Sequence, residues 1–454
     1  MTSNLKEKMT AMFIPAPLLI SARRIGLRRL FSMLFAIGFS YTGVVWYLLR
    51  RRGPAAAWKF ISVKLFTPVG PGGVGVWWFF AGWFIRRFPQ LYGMPKQLEM
   101  EITTTCAKRC IHCEHTYWSR ESQPIKQMTY EQVIGILEQF PGLRWASLVG
   151  EGSSFEHKEM KRFITYLRRR NIMSYVPDHM CDYDDETIEH IVSNDMDGIV
   201  LSFDGASRET YESIKVGCRY DRTIENIRKV LAAKKRLGTP FPEIMFAYIA
   251  MKNNVHEIPD FVDLVGNIGR RAEFGAGSRI GIIRLLAFKQ ILDLQLEDIP
   301  GEIIEETYRR AAKHGMLVNF TGTNVREDLP EPTCCMAWME PYIMMEGYVS
   351  QCCAVFISNN RDFIREHAHG NVLKENFRDI WYNRSYKTLR YTINNPGKPI
   401  PMQCAGCRIF NTLPREKQYG IIDTQTGEVM SLKTFYEEHM GENMKWRYED
   451  VDLG

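Results

Sequence analysis

A chain of 454 residues with 45% hydrophobic content is long enough for more than one domain and for a sizeable core. Its 11 cysteines are not needed as disulfide staples at this length, and their grouping as a triplet, two doublets and a CxxC pair indicates metal ligation in a reduced interior. The formal net charge of +6 is unevenly spread, because residues 1–90 hold 13 Lys and Arg against one acid. The mildly acidic remainder argues against a nucleic-acid-binding surface.

Two uncharged apolar runs lie in the basic amino-terminal segment. Residues 30–49 are long enough to cross a hydrocarbon core of about 30 Å as a helix. Residues 65–85 join a Gly/Pro-rich half to an aromatic half that suits a membrane interface. Because simple spanning would break the positive-inside bias, we expect residues 1–95 to form a hydrophobic helical segment lying on the cytoplasmic face of a membrane. A buried helical cap, a substrate lid and an apolar dimer surface are the alternatives.

Three cysteines follow the basic segment at a spacing that lets one loop turn their sulfurs toward a single point. Cys106, Cys110 and Cys113 are separated by three and two residues. Soft thiolates suit zinc, Cu(I) or an iron–sulfur cluster. A zinc site or a [4Fe–4S] cluster that is held by protein alone normally takes four ligands. An iron–sulfur cluster with three cysteines keeps one iron open, whereas a structural zinc knuckle is the alternative. The distant Cys181 and Cys218 are expected to be ordinary small buried residues.

Apolar runs of β type alternate with helical patterns over residues 96–300, which predicts an α/β fold with a parallel sheet. The predicted strands are 98–103, 144–149, 172–176, 198–203, 243–250 and 280–286. A capping box of Thr129 and Gln132 begins a helix over 130–140, and Asp184 or Asp185 caps a helix over 186–194. The remaining predicted helices cover 221–236 and 301–314. Six β/α units predict a partial (β/α)6 TIM-like barrel with the cysteine triplet at the carboxyl end of the first strand.

The triplet, with the aromatic His112 before its third cysteine, resembles the signature of the radical S-adenosylmethionine (radical SAM) superfamily. The resemblance implies a [4Fe–4S] cluster on Cys106, Cys110 and Cys113 that chelates S-adenosylmethionine (SAM) at its open iron. These cysteines are therefore the expected catalytic and metal-ligating residues, and His112 is an expected cofactor-binding residue.

A turn after the second predicted strand is similar to the Gly-Gly-Glu-Pro turn of this family, which receives the amino group of SAM. Residues 149–152 read Val-Gly-Glu-Gly, so the match is partial. Gly150 still permits close backbone approach and Glu151 still supplies a carboxylate. The resemblance implies that both residues bind the cofactor, and an ordinary strand-to-helix turn is the alternative.

The stretch after the fourth predicted strand, residues 201–211, looks like the Ser-x-Asp-Gly-Ala…Glu-Thr-Tyr stretch of the subfamily with carboxy-terminal auxiliary clusters. The resemblance places Ser202 near the SAM ribose and adds Asp204 to the cofactor-binding residues. Lys215 occupies a position where family members often carry Arg, and it is a candidate partner of the SAM carboxylate. Ser207 is expected to cap a helix instead.

The carboxy-terminal cysteines resemble the SPASM/twitch extension of radical SAM maturases. A hairpin is predicted over 342–353, and residues 301–415 are the predicted auxiliary domain. The resemblance implies one auxiliary [4Fe–4S] cluster, with a structural zinc ribbon as the alternative. Cys334 and Cys353 could replace their neighbours as ligands, and the tail 416–454 has no assigned role. The expected ligands of this cluster are Cys335, Cys352, Cys404 and Cys407.

The resemblance covers residues 96–410, with 96–300 as the radical SAM core, and it implies an enzyme. Such an enzyme reductively cleaves SAM to a 5′-deoxyadenosyl radical that abstracts hydrogen from an unactivated carbon. The expected substrate is a peptide, a protein or a membrane-delivered molecule, with an acyl or isoprenoid lipid as the alternative. A ferredoxin or flavodoxin is the expected reductant. A hypothesis of another class, a non-catalytic metal-stabilised membrane scaffold, would tolerate substitution of Glu151.

Overall fold

The computed structural model describes residues 27–66, 84–85, 87–119, 121, 123–285, 288–321, 334, 336–353, 361–405, 407 and 413–439. The strands are β1 (Gln97–Glu101), β2 (Trp145–Val149), β3 (Met173–Asp178), β4 (Gly198–Ser202), β5 (Glu243–Ala250), β6 (Ile280–Arg284), β7 (Val318–Thr321), β8 (Tyr342–Ile343), β9 (Val349–Ser350), β10 (Ile400–Pro401), β11 (Ile421–Ile422) and β12 (Val429–Met430). The α-helices are α1 (Leu27–Phe66), α2 (Tyr130–Glu138), α3 (Met160–Arg169), α4 (Asp185–Ser193), α5 (Arg208–Ile214), α6 (Tyr220–Leu237), α7 (Ile258–Ile268), α8 (Arg271–Phe274), α9 (Gly301–His314), α10 (Met336–Met339), α11 (Arg361–Glu366), α12 (Phe377–Trp381), α13 (Arg384–Thr392), α14 (Leu413–Tyr419) and α15 (Leu432–His439).

The main sheet has the order β7-β6-β5-β4-β3-β2-β1-β8-β9, and β1 to β7 are parallel. Its core strands are almost completely buried, which is why they appear in the sequence as near-continuous apolar runs. The sequential order is that of a (β/α) barrel, without the reversal of a doubly wound sheet. The predicted α/β fold with a parallel sheet is confirmed, and each of the six predicted strands is present within a few residues.

The sheet has further strands beside the first and the last of the six predicted strands. Strand β7 (Val318–Thr321) pairs with β6, and α9 packs against α7, so the sheet continues past the predicted domain boundary at residue 300. On the opposite side of the sheet, beside β1, strand β8 pairs in parallel with β1 and in antiparallel with β9. The predicted hairpin is therefore present, and it joins the carboxy-terminal region to the first strand of the core.

The predicted helix starts follow the expected capping chemistry. Thr129 and Gln132 form the capping box of α2. The side chain of Asp184 accepts a hydrogen bond from Thr187 N–H at the start of α4, and Ser207 caps α5. These short-range signals set the ends of the helices that surround the site.

Helix α1 crosses the amino-terminal edge of the sheet. It is kinked at Gly53, which has a φ of 80° and precedes a proline. Val44 and Phe60 are buried in a cluster with Trp145 and Phe241, which lie at or just before the first residues of β2 and β5. Residues 27–66 of the predicted amino-terminal segment are helical, whereas its membrane association stays a prediction, and much of the second apolar run, residues 65–85, lies outside the described residues. Within the described ranges, no helix is long and apolar enough to cross a membrane.

The carboxy-terminal region packs beside β1. Strands β10, β11 and β12 form a second small sheet, which includes part of the predicted tail. Helices α12 and α13 are centred on the buried Trp381, whose indole N–H donates to the carbonyl of Gly93 at 3.0 Å. Arg390 lies over the same ring at 4.0 Å. These contacts connect the segment before β1 to the auxiliary region.

Candidate active site

The loop that carries the cysteine triplet leaves β1 at the carboxyl edge of the sheet, as predicted. Two backbone N–H groups of this loop donate to the carbonyls of Ile214 and Val216 at 3.0 and 2.9 Å. A third, that of Ala107, donates to both carboxylate oxygens of Glu156 at 3.0 and 3.1 Å. The loop therefore has a fixed position between the segments that follow β2 and β4.

The three thiols of the loop are partly exposed and unbonded to other cysteines. Burial raises the pKa of Cys110, the positive charge of Lys215 opposes this shift, and Cys106 is among the groups that add to it. Burial, followed by Glu151 and Cys110, raises the pKa of Cys113 well above its ordinary value. Successive thiols of the loop therefore influence each other electrostatically, Cys106 acting on Cys110 and Cys110 on Cys113. Metal binding would replace their protons.

The turn after β2 passes directly against the cysteine loop. A Cβ at Gly150 would lie 2.5 Å from the carbonyl oxygen of Thr103. A Cβ at Gly152 would lie 2.4 Å from the carbonyl oxygen of Thr105. Both neighbours are backbone atoms, so no larger residue fits without moving the loop. The turn therefore depends on two glycines for close packing.

The carboxylate of Glu151 lies in a crowded acidic environment. Burial raises its pKa, while a hydrogen bond with Glu114 opposes this shift. Its backbone N–H donates to Glu101 at 3.3 Å. Glu101 is itself fully buried and accepts two hydrogen bonds from Arg361 at 3.0 and 2.6 Å. Arg361 lies 4.8 Å from the centre of the Trp118 ring. This network connects the Glu151 turn to the auxiliary region.

His112 enters the site as a neutral ring. Burial, and then the positive charge of Lys215, lower the pKa of its imidazole to about 4. Its Nε2 lies 3.8 Å from a carboxylate oxygen of Asp204. Its Nδ1 is buried and has no hydrogen-bond partner. A buried nitrogen without a partner in a functional cleft indicates that a bound group can complete its contacts.

Asp204 and Lys215 form a buried ion pair beside His112. Their carboxylate oxygen and Nζ are 2.8 Å apart, and Lys215 also donates to the hydroxyl of Ser202. Burial raises the pKa of Asp204, but Lys215 outweighs this effect and holds it below its ordinary value. Ile249 N–H donates to the Asp204 carboxylate at 2.7 Å, and Asn254 donates to its backbone carbonyl at 3.0 Å. The fold thus fixes both charges in place.

Cys181 and Cys218 are buried, as predicted, but their surroundings are more polar than a plain core. Their sulfurs are 2.7 Å apart, and the Cys181 sulfur lies 3.2 Å from Nδ1 of His179. His179 also lies with Cys106 and Glu156 in a group whose candidate ligand atoms are within 4.8 Å of one another. The backbone N–H of Cys181 donates to the same Nδ1 at 3.2 Å. His179 therefore links the pair of Cys181 and Cys218 to Cys106 of the cysteine loop.

Three of the described cysteines of the auxiliary region, Cys334, Cys404 and Cys407, lie near one another. Burial raises the pKa of Cys334 to about 11, and the charge of Cys407 contributes. Burial, followed by Cys334 and Cys407, raises the pKa of Cys404 well above its ordinary value. The structure therefore places Cys334, an alternative ligand, close to two of the expected ligands.

The remaining auxiliary ligands are less completely described. Cys335, the expected first ligand, lies outside the described residues. The side-chain amide of Gln351 donates to the sulfur of Cys404 at 3.4 Å. Cys352 is therefore adjacent in sequence to a residue that contacts Cys404. The choice of Cys335 and Cys352 over Cys334 and Cys353 stays a prediction.

The residues fit the cofactors that the sequence implies. Three thiols on one loop provide the soft donors that an iron–sulfur cluster requires. The two glycines let the Glu151 turn pack directly against the cysteine loop, and His112 Nδ1 is a buried polar atom without a partner. The auxiliary thiols form a second donor set. Ser202, Asp204, Lys215 and Glu151 surround the first set with hydroxyl, carboxylate and ammonium groups.

Comparisons with known proteins agree with this geometry. The radical SAM superfamily model matches residues 100–265, and the SPASM iron–sulfur cluster-binding domain model matches residues 334–408. The fold and the site define an enzyme that uses SAM and iron–sulfur clusters. The chain contains a radical SAM superfamily domain and a carboxy-terminal SPASM domain, so it is an enzyme and the hypothesis of a non-catalytic scaffold is wrong. Its cofactors are the SAM-binding cluster, an auxiliary cluster and SAM.

Individual relatives are distant. The chain is 22% identical over 329 residues to the tungsten-containing aldehyde ferredoxin oxidoreductase cofactor-modifying protein of Pyrococcus furiosus, covering 68% of this chain and 87% of that protein. It is similar in fold to Streptococcus suis SuiB bound to S-adenosylmethionine, with a TM-score of 0.53, 14% identity, and coverage of 70% and 72% of the two chains. SuiB bound to the precursor peptide SuiA gives a TM-score of 0.51, 12% identity and coverage of 74% of each chain.

The structure brings the predicted core site residues to one edge of the sheet, together with several partners that the sequence did not indicate. Arg361 and Glu101 were not identified, because they are 260 residues apart in sequence and Arg361 belongs to no motif. His179 was missed as well, although its position directly after β3 is the kind of place where α/β proteins put functional groups. The buried Glu114 follows the third cysteine directly, which was a usable signal.

Proposed function

We propose that this radical SAM enzyme modifies a carbon atom of a peptide or protein side chain. One observation carries the proposal: the described apolar helix and the cysteine loop lie at opposite edges of the sheet. Helix α1 packs against the first residues of β2, β3 and β5, whereas the loop that carries Cys106 begins after the last residue of β1, Glu101. A polar substrate can therefore approach the cysteine loop from solvent without passing α1. This placement favours a peptide over a substrate delivered along α1 from a bilayer.

The comparison with SuiB supports the same substrate class. That protein has been crystallised with a precursor peptide, and its fold matches most of this chain. The relative from Pyrococcus furiosus is named as a protein that modifies the cofactor of a tungsten-containing aldehyde ferredoxin oxidoreductase, so it does not point to a peptide. An acyl or isoprenoid lipid is the alternative substrate, and the experiment below separates the two classes.

The residues of the site have distinct roles in this proposal. Cys106, Cys110 and Cys113 would hold the cluster, and the turn at Gly150 would admit SAM beside Glu151. When bound, the cluster and SAM supply a radical that can abstract hydrogen from an unactivated carbon. A low-potential protein such as a ferredoxin or flavodoxin would supply the electron.

The charged groups of the site are positioned before any ligand arrives. Lys215 and Asp204 form a buried pair whose charges are held by backbone and side-chain hydrogen bonds. Fixed charges of this kind orient a zwitterionic ligand without reorganisation. We propose that Lys215 contacts the SAM carboxylate and that the carboxylate of Glu151 accepts a hydrogen bond from the amino group of SAM. Neutral His112 excludes water beside them.

Transfer of deuterium tests the substrate class. The anaerobically reconstituted, reduced enzyme is incubated with SAM and one of two pools from the same perdeuterated cells, a peptide digest or a lipid extract. The account predicts deuterium in 5′-deoxyadenosine with the peptide pool, because the abstracted atom comes from the substrate carbon. The Cys106→Ala/Cys110→Ala/Cys113→Ala variant is the control for background exchange. Deuterium that comes from the lipid pool alone would contradict the proposal.

A further inference from the structure

Helix α1 has one face against the sheet and one face toward solvent. Val44, Leu48, Ala57 and Phe60 are buried against the strand starts. The opposite face carries large apolar side chains that remain exposed. Their exposed fractions are 78% for Phe35, 73% for Phe39, 55% for Trp46 and 60% for Trp58. These four residues are called the aromatic stripe below.

Buried polar contacts fix which way the aromatic stripe faces. Lys64 donates to the carboxylate of Glu243, the first residue of β5, at 2.9 Å. Tyr47 donates to Asp195, just before β4, at 2.8 Å. Helix α1 therefore cannot roll to bury the stripe without breaking these contacts, and a buried charge that loses its partner is costly. The stripe is a stable feature of the surface.

Exposed apolar patches on a folded protein mark interaction surfaces. Before the kink the stripe follows one side of the helix, because Phe35, Phe39 and Trp46 are separated by four and seven positions, about one and two helical turns. Trp58 lies beyond the kink at Gly53 and is exposed as well. The sequence of α1 contains Arg and Lys but no acidic residue. Arg50 and Arg51 are exposed beside the stripe, and the Arg50 guanidinium lies 4.4 Å from the centre of the Trp46 ring.

Charge distinguishes between two occupants of this surface. A second copy of the chain would bring the same arginines together across a symmetric interface, where like charges repel. An anionic bilayer instead offers negative headgroups to the arginines and an apolar boundary to the aromatic rings. Exposed tryptophan and arginine side chains on one helix are typical of proteins that lie in the membrane interface. Each cation near such a surface adds to the attraction.

We propose that the aromatic stripe of α1 docks the enzyme in-plane on an anionic lipid surface, with the cysteine loop on the far side of the sheet. The amino-terminal edge of the sheet then faces the membrane, and the site faces the aqueous phase. The docking itself is independent of the proposed function. Its consequence, that the enzyme acts on water-exposed peptides near a membrane, rests on that function.

Vesicle sedimentation of the full chain tests the docking. The probes are vesicles of phosphatidylcholine alone and of phosphatidylcholine mixed with phosphatidylglycerol. We expect binding to the anionic vesicles and at least a tenfold weaker partition for Phe39→Ser/Trp46→Ser/Trp58→Ser. The matched control is Tyr391→Ser/Tyr419→Ser/Val429→Ser, whose side chains are 50%, 43% and 52% exposed on the carboxy-terminal region. Equal unfolding temperatures of the two variants would show that both are folded.

Three results would overturn the proposal. The first is equal loss of binding in the stripe variant and the control, and the second is equal partition onto neutral and anionic vesicles. The third is a dimer that the stripe variant converts to a monomer without any vesicle binding, which would assign the surface to a second copy. An Arg50→Gln/Arg51→Gln variant should weaken binding to anionic vesicles alone.

The orientation has its own readout. Bound to anionic vesicles, the wild-type enzyme should form 5′-deoxyadenosine from SAM within twofold of its rate in solution, because the site faces away from the lipid. Strong inhibition by these vesicles, but not by neutral ones, would contradict the orientation. Vesicle binding without any SAM cleavage would instead contradict the assigned activity and leave the docking supported.

Discussion

The two edges of the sheet each hold a buried lysine–carboxylate pair, and the pairs have different surroundings. At the amino-terminal edge, Lys64 and Glu243 are 2.9 Å apart, and Tyr175 and the backbone N–H of Gly277 also donate to Glu243. At the carboxyl edge, Lys215 and Asp204 are 2.8 Å apart, next to a histidine nitrogen without a partner.

This difference shows that a buried ion pair does not by itself identify a functional site. The amino-terminal pair joins α1 to β5 within a cluster of aromatic side chains, so its role is structural. The carboxyl pair lies beside His112, whose Nδ1 has no partner, so we expect a ligand to bind next to it. Substitutions at the first pair should change stability, and substitutions at the second should change cofactor use.

The largest effect is expected for Lys64→Met. It leaves the Glu243 carboxylate buried without its partner, which should cost about 3–5 kcal/mol of unfolding free energy, measured by chemical denaturation. Burial opposes the charge of Lys64, but Glu243 and Tyr175 hold its pKa well above the ordinary value, and Lys64 holds the pKa of Glu243 low against burial. The contribution is lost only as pH falls below the Glu243 pKa or rises above that of Lys64. The deficit should therefore persist from about pH 6 to pH 9.

The double variant Lys64→Met/Glu243→Gln should recover part of this loss, because the buried charge is then gone. SAM cleavage per folded molecule should be unchanged in both variants. A large loss of SAM cleavage with unchanged stability would reverse the assignment of the two edges.

The next largest effect is expected for Gly150→Ala. The new methyl group would lie 2.5 Å from the Thr103 carbonyl oxygen, so the cysteine loop or the Glu151 turn must move. A displacement of about 1 Å at a reacting site can cost about 100-fold in rate, and the rate of 5′-deoxyadenosine formation measures it. Gly281→Ala on β6 is the matched control, since its nearest neighbour would be at an ordinary 3.7 Å. Equal effects of both substitutions would remove the special role of the turn.

A smaller effect is expected for Asp204→Asn. The substitution keeps the shape but removes the charge that pairs with Lys215, so SAM should bind about tenfold more weakly, which corresponds to about 1.4 kcal/mol. The measurement is the split between the KM for SAM and the kcat of its cleavage. Asp221→Asn, which breaks the exposed pair with Arg208, is the control and should change neither. A pure loss of stability with an unchanged KM would assign Asp204 a structural role.

The smallest effect is expected for Tyr47→Phe. It removes one hydrogen bond to Asp195, which still accepts from Thr239 at 2.7 Å. The unfolding free energy should fall by about 1 kcal/mol, with no change in SAM cleavage. A much larger loss would mean that the contact between α1 and the sheet depends on this residue more than on Lys64.

The sequence predicted the sheet and the cysteine loop because their signals are local. Buried parallel strands are continuous apolar runs, Thr129 with Gln132 and Asp184 mark helix starts, and cysteine spacing needs no tertiary information. Strand β7, only four residues long and containing a polar residue, gives no such signal. The contacts of Arg361 and His179 could not be predicted, because a side-chain contact across the fold leaves no periodicity in the sequence.

The position of α1 was equally beyond sequence reasoning. Its apolar run predicted a helix with an affinity for apolar surroundings, but the pattern does not say which edge of the sheet the helix covers. That choice depends on Lys64, Tyr47 and their acceptors at the starts of β5 and β4, residues that look unremarkable in the sequence.

The most direct test of the central claim is anaerobic formation of 5′-deoxyadenosine from SAM by the reconstituted, reduced protein and its Cys106→Ala/Cys110→Ala/Cys113→Ala variant. The account predicts product from the wild type alone, while the variant keeps the iron of its auxiliary cluster. A wild-type protein that holds both clusters yet neither binds nor cleaves SAM would contradict the assignment of the carboxyl edge as the active site.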